Sequence, residues 1–156
     1  MVEQTVLDDT QIKVSVEDVM RGKFLTFYVG DNGFGLEISY VTEIIGIQNI
    51  TRVPHTHHYI KGIINLRGTV VPVMDMRLRF GLPEIPYTDR TCVVVINTND
   101  ICIGLIVDEV SEVVDITDEN IQPPPPATAG GINHYIRAIA TVGDHIKQLL
   151  DLEKIF

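Results

Sequence analysis

The sequence predicts a mostly β chain of two small barrels made by internal duplication, with short helices. Three observations carry this. Apolar and polar residues alternate in short runs, the period of strands rather than helices. Turn residues punctuate the chain every ~8–12 residues, the spacing of small sandwiches and barrels. Finally, one plan occurs twice. GLEISYVTEIIGI (residues 35–47) lines up without gaps on GLIVDEVSEVVDI (residues 104–116), and Pro54 falls on Pro123. At a slightly longer offset, residues 59–80 line up with 135–156, matching Tyr59 with Tyr135, Ile60 with Ile136, Asp75 with Asp151 and Phe80 with Phe156. The offset changes within residues 123–132, the loop-like PPPPATAGGI. A repeat of about 60 residues buries little alone, so the copies are expected to pack together. The first copy spans 24–80, GLPEIPYTDR (81–90) reads as a linker, and the second copy spans 91–156.

Composition narrows the function classes. At 156 residues the chain can bury a real core. Its net charge of −9 would repel nucleic acid and anionic lipid. It is 45% hydrophobic, yet no run approaches the ~18 apolar residues of a membrane span. The start, MVEQTVLDDT, has neither the basic region nor the apolar core of a signal peptide. A cytoplasmic protein is expected.

Residues 1–22 are acidic and aperiodic, and read as a flexible arm in which Ile12, Val14 and Val16 could add one strand. Then Leu25, Phe27 and Val29 alternate with polar neighbours up to the turn GDNG (30–33), and Phe34, Leu36 and Ile38 alternate after it. Centring on that turn pairs Val29 with Phe34 and puts all six apolar residues on one face. Ser39 is expected to cap a helical turn over 41–44, followed by a strand over 45–50.

Residues 59–80, YIKGIINLRGTVVPVMDMRLRF, form the second hairpin. The two-residue loop Arg67-Gly68 pairs Leu66 with Thr69, Asn65 with Val70 and Ile64 with Val71. Asp75 is an N-cap for a helix over 76–80, which Gly81 stops. Arg67 would stand at the apex with nothing local to bind. A lone arginine there is ordinarily a solvated turn residue. Yet such a turn favours Asn, Asp or Gly, and the second copy has Gly143-Asp144 instead. An arginine in one copy only looks added for use, and its planar fork suits carboxylates or carbonyls. In the second copy, a hairpin centred on 97–100 puts Cys102 opposite Val95, with Cys92 on the other face and too far along for a disulfide. Two buried thiols are expected.

The run IKGIINLRGTVVPVMDMR (60–77) closely resembles the family of bacterial chemotaxis coupling proteins, CheW. FYVGDNGFGLEI, VTEIIGI and GLIVDEVSEVVDI extend the likeness over about residues 23–156. The same domain ends the chemotaxis histidine kinase CheA. The resemblance implies two SH3-like five-stranded β-barrels, which could exchange strands between copies. It further implies a non-catalytic adaptor without cofactor, joining the CheA regulatory domain to chemoreceptor cytoplasmic tips. Asn65, Arg67 and Gly68 match the hairpin tip and look receptor-facing, and Val113 is placed with them. Val41 and Glu43, on the expected short helix, and Gly62 match partner-contact positions, open between kinase and receptor. For Val41, Gly62 and Val113 a purely structural role is the default. Glu43 has an equivalent, Glu112, so the duplication does not single it out. Cys92 departs from the aliphatic residue the family often has there.

Two rivals stand beside this reading. One is a metal protein or enzyme built on His55, His57 and His58, with His134 in the second copy. It lacks a Cys or acidic ligand at the right spacing, and the chain contains no nucleophile elbow, P-loop or dinucleotide fingerprint. The other is a CheW-like regulatory module of a different two-component system or of a larger kinase. With Met1 at one end and Phe156 closing the second copy, a freestanding coupling protein is expected.

Overall fold

In the computed structural model, residues 22–98, 100–124, 126 and 131–156 are described. The proposed strand through Ile12, Val14 and Val16 lies outside them. Strands β1 (Lys23–Val29) and β2 (Asn32–Glu37) form the first hairpin. Its turn is tighter than GDNG suggests: Phe27 faces Phe34 and Leu25 faces Leu36, around Gly30-Asp31. The Gly30 N–H donates to the Asp108 carboxylate at 2.7 Å, which anchors the shorter turn. A slip of two residues preserves strand parity, so Leu25, Phe27, Val29, Phe34 and Leu36 are all buried as expected. The Phe27 and Phe34 rings lie 5.9 Å apart, and burying each contributes about 1.5–3 kcal/mol.

A 3-10 turn occupies Ile38–Tyr40, and Val41–Gly46 is strand β3, not a helical turn. Ser39 caps nothing. Val41, Thr42, Ile44 and Ile45 are β-branched, stiff at χ1 and suited to a pleated surface, and they pair with β6 (Cys92–Thr98). The expected strand over 45–50 ends at Gly46. In the second copy β7 (Ile101–Val107) leads straight into β8 (Glu109–Asp115), and Asp108 likewise caps no helix.

Strands β4 (Ile60–Leu66) and β5 (Thr69–Asp75) pair in the register read from sequence. Helix α1 (Met76–Arg79) is capped by the Asp75 carboxylate, which accepts from the Arg77 and Leu78 N–H groups. Gly81 follows at φ +80°. In the β6–β7 hairpin Asn97 faces Cys102 and Val95 faces Gly104, again two residues tighter than expected. Cys102 is therefore exposed and Cys92 half-buried, which corrects the expectation of two buried thiols; both are unbridged. The chain ends with β9 (Ile121–Gln122), β10 (Ile136–Val142), β11 (His145–Leu150) and α2 (Leu152–Ile155).

The strands form two sheets, ordered β8-β1-β2-β11-β10-β9 and β3-β6-β7-β5-β4. Each takes a hairpin from one copy and further strands from the other, joined by a parallel pairing, β2 with β11 and β5 with β7. Both junctions need a glycine. A Cβ on Gly35 would meet Leu149 Cδ2 at 2.7 Å across β2–β11, and one on Gly104 would meet Val73 Cγ1 at 3.1 Å across β5–β7 as well as Val93 Cγ1 of β6 at 2.6 Å. That close approach explains the glycine that heads both copies of the repeat. Each unit is SH3-like, but among the described residues neither sheet closes into a full barrel.

The main core lies between the units and draws on both. Phe27, Phe34 and Leu36 pack with Met74, Met76, Val94, Ile96 and Leu105, and with Ile136, Leu150 and Ile155. Smaller clusters sit within each sheet, around Val71 and Val93 and around Phe24 and Leu149. Arg79 pins the centre. Its guanidinium lies 4.3 Å from the Tyr59 ring centroid and 4.9 Å from that of Tyr135, and Nε donates to the Ile155 carbonyl at 2.8 Å.

Candidate protein-interaction surface

The apex of the β4–β5 hairpin is built by its own residues. Arg67 and Gly68 take φ +53° and +88°, the two left-handed positions of the tightest hairpin turn. Gly68 meets the second without strain, and nothing lies within 4 Å of where its Cβ would be, so conformation alone demands glycine there. Asn65 Oδ1 accepts from the Gly68 N–H at 2.8 Å and braces the turn. Arg67 has no such aptitude, so its side chain must account for its presence.

That side chain does have a local partner, contrary to the sequence reading. The guanidinium grips Glu43 with both arms, Nη1 to Oε1 at 3.2 Å and Nη2 to Oε2. Glu43 lies on β3 and Arg67 beside β4, the two opposite edges of the five-stranded sheet. The pair is therefore a clasp across the mouth of an open barrel. Hydrogen bonding from Arg67 holds the Glu43 carboxyl below the usual carboxylate range, and the charge of Arg67 adds to this while desolvation opposes it. Glu43 reciprocally raises the guanidinium. The Arg67 side chain remains 71% exposed, so its other N–H groups still face outward.

The second copy lacks the clasp. Its apex is Gly143-Asp144, and Glu112, the equivalent of Glu43, receives the Thr26 hydroxyl on its backbone carbonyl at 2.8 Å. Among the described residues no ion pair joins that apex to β8.

The structure thus gathers Glu43, Asn65, Arg67 and Gly68 at one end of one sheet. Val41 sits on the same edge strand, half-buried opposite Ile96 and packed on the main core. Val113 lies on the other sheet, 51% exposed on edge strand β8. Gly62 is buried at a bulge in β4, at φ +148°, where a Cβ would lie 2.1 Å from the Thr51 carbonyl oxygen. It has no surface to offer, and its local task is to let Thr51 bridge Ile63 through two 2.9 Å hydrogen bonds.

Sequence reasoning missed three exposed aliphatics. Ile44 is equivalent to Val113 in the repeat alignment, and Val70 to Ile146. Their exposures are 41, 51, 60 and 64% in that order, so each unit presents one on its edge strand and one beside its apex. The signal was present: apolar positions kept in both copies on the outward strand parity. Among the described residues no three His, Cys, Asp or Glu side chains converge to hold an ion. No described helix is long and apolar enough to cross a membrane.

Comparison with known proteins places this architecture. The chain is similar to the chemotaxis protein CheW of Klebsiella aerogenes, 35% identical over 133 residues that cover 85% of this chain and 80% of that one. It is 33% identical to the chemotaxis protein CheW of Bacillus subtilis, covering 85% of each. The crystal structure of the scaffolding protein TtCheW from Thermoanaerobacter tengcongensis superposes with a TM-score of 0.80 at 33% identity, over 86% of this chain and 92% of that one. The family model for the CheW-like domain matches residues 23–156, and the chain belongs to that family.

Proposed function

We propose that this protein is a non-catalytic adaptor of bacterial chemotaxis. It would join the regulatory domain of the histidine kinase CheA to chemoreceptor cytoplasmic tips, acting in the cytoplasm and reaching membrane arrays through these partners. The observation that carries the reading is the Arg67–Glu43 clasp. It occupies one copy of a duplicated frame, costs a left-handed arginine, and leaves the cation exposed. Glu43 orients the guanidinium, and the outward N–H groups donate to carboxylates or carbonyls on a receptor helix. Val113 is the apolar receptor contact on the second unit. Ile44, Val70 and Ile146 supply further apolar contact area, and the CheA domain, sharing this fold, pairs with it pseudo-symmetrically. Val41 packs on the main core behind Glu43, and Gly62 serves the fold rather than a partner. Similarity to proteins named for chemotaxis, one of them called a scaffold, supports the reading.

The test is binding of a receptor cytoplasmic fragment and, separately, of the CheA regulatory domain. Arg67→Ala is expected to weaken receptor binding roughly tenfold or more, the scale of one lost charge-assisted contact. Asp144→Ala at the equivalent apex should do little, and kinase binding should survive both. Normal receptor binding by Arg67→Ala would remove the hairpin from the receptor surface.

A further inference from the structure

A cavity of about 300 Å³ opens between the 51–58 segment, β4, α1 and the start of the linker. That is the size of a small-ligand site. Arg52 and Lys61 bring two cations to it on a chain of net charge −9. His55, His57 and His58 add ring N–H donors, and the His57 ring is held parallel to Tyr59 with centroids 5.0 Å apart. Ile60 and Leu78 give one wall an apolar surface. A single acid, Glu84, completes the lining and bonds Lys61. That bond and the Lys61 charge hold the Glu84 carboxyl below its usual range against desolvation, and Arg52 adds to the effect. Among the described residues no carboxylate lies within 4.0 Å of Arg52.

We propose that this cavity binds a small phosphomonoester, with its dianionic head on Arg52 and Lys61 and its apolar body against Ile60 and Leu78. Glu84 is the resident anion that the head displaces from Lys61. A phosphate suits the lining better than a carboxylate. It brings a second negative charge for the second cation, and a third terminal oxygen for an imidazole N–H. The site is independent of the adaptor role and of the hairpin apex.

The experiment is an amide NMR titration of the full chain with phenyl phosphate, with inorganic phosphate, benzoate and phenol as parallel arms. Saturable shifts are expected at Arg52, Thr56 and Lys61 with phenyl phosphate, weaker ones with inorganic phosphate and benzoate, and none with phenol. Arg52→Ala should weaken phenyl phosphate roughly tenfold or more. Glu84→Gln should tighten it several-fold, since a competing anion is removed; a merely structural Glu84 would not do this. Both side chains are peripheral, so the folded spectrum serves as the control. Unsaturable shifts, shifts centred elsewhere, or unchanged binding by Arg52→Ala would overturn the site. Benzoate matching phenyl phosphate would overturn the phosphate assignment, and weaker binding by Glu84→Gln would overturn displacement.

Discussion

Gly62→Ala separates a partner contact from a folding requirement. The new Cβ would sit 2.1 Å from Thr51 O and 2.8 Å from Thr51 C, both backbone atoms that no rotamer change can move aside. Thr51 must retreat by more than an ångström, which breaks its two hydrogen bonds with Ile63. At about 0.5–1.5 kcal/mol net for each bond, this costs about 1–3 kcal/mol. Holding alanine at φ +148° adds about 1–3 kcal/mol. A loss of about 2–6 kcal/mol is therefore expected. For a chain of this length each kcal/mol lowers Tm by about 2–4 °C, so a fall of at least about 4 °C is expected. The bulge itself does not demand glycine, because the matching bulge in β10 carries Ala138, buried without conflict. Urea unfolding gives the stability, and hydrogen exchange at Thr51 and Ile63 shows whether the bridge has opened. Receptor and kinase binding, corrected for the folded fraction, should change little. If Gly62→Ala unfolds within about 0.5 kcal/mol of the parent and yet loses a partner, the steric reasoning is wrong and Gly62 is itself a contact.

Three further outcomes are expected. The Glu43 carboxyl is lowered on folding, so the clasp persists above the ordinary carboxylate pKa and is lost as pH falls through the lowered value; carbon-detected NMR should find that low midpoint, and Arg67→Ala should return it to the ordinary range. Arg79→Ala removes two ring contacts and a carbonyl bond at the end of α2, costing about 2–4 kcal/mol in urea unfolding, with Arg79→Lys recovering only part. Chelation should leave Tm unchanged, and converting His55, His57 and His58 together to Ala should leave coupling intact; zinc retained through purification, with unfolding on its removal, would restore the metal reading.

What was legible in the sequence was local or periodic. The β4–β5 register follows from a two-residue turn whose dihedrals admit few residues, and Asp75 and Gly81 mark the ends of α1 by side-chain chemistry alone. The β1–β2 and β6–β7 hairpins slipped because strings of Gly, Asn and Asp disguise which two residues make the turn. Parity survived, so the buried face of β1 and β2 was right while the cross-strand partners were wrong. The helix expected over 41–44 failed for the opposite reason. Ser39 is a local cap signal, whereas β3 is stabilised by β6, some fifty residues further along the chain. The clasp was invisible for the same cause: Arg67 and Glu43 meet only because the sheet curls until its edges approach.

The duplication converts these observations into a criterion for function. Several positions that both copies repeat serve the frame: Gly35 and Gly104 at the parallel junctions, Asp75 and Asp151 at the helix starts. Positions that differ need a separate cause, and burial sorts them. Gly62 stands where the other copy has Ala138, and it is buried beneath Thr51. Arg79 stands where the other copy has Ile155, and it is spent on two tyrosines and a carbonyl within the fold. Lys147 replaces Val71 and is buried too, its ammonium 3.1 Å from the Tyr28 hydroxyl. Arg67, against Gly143, is both unrepeated and exposed. A difference between copies that the fold consumes internally accounts for itself; one that projects a half-satisfied guanidinium into solvent calls for a partner outside the chain.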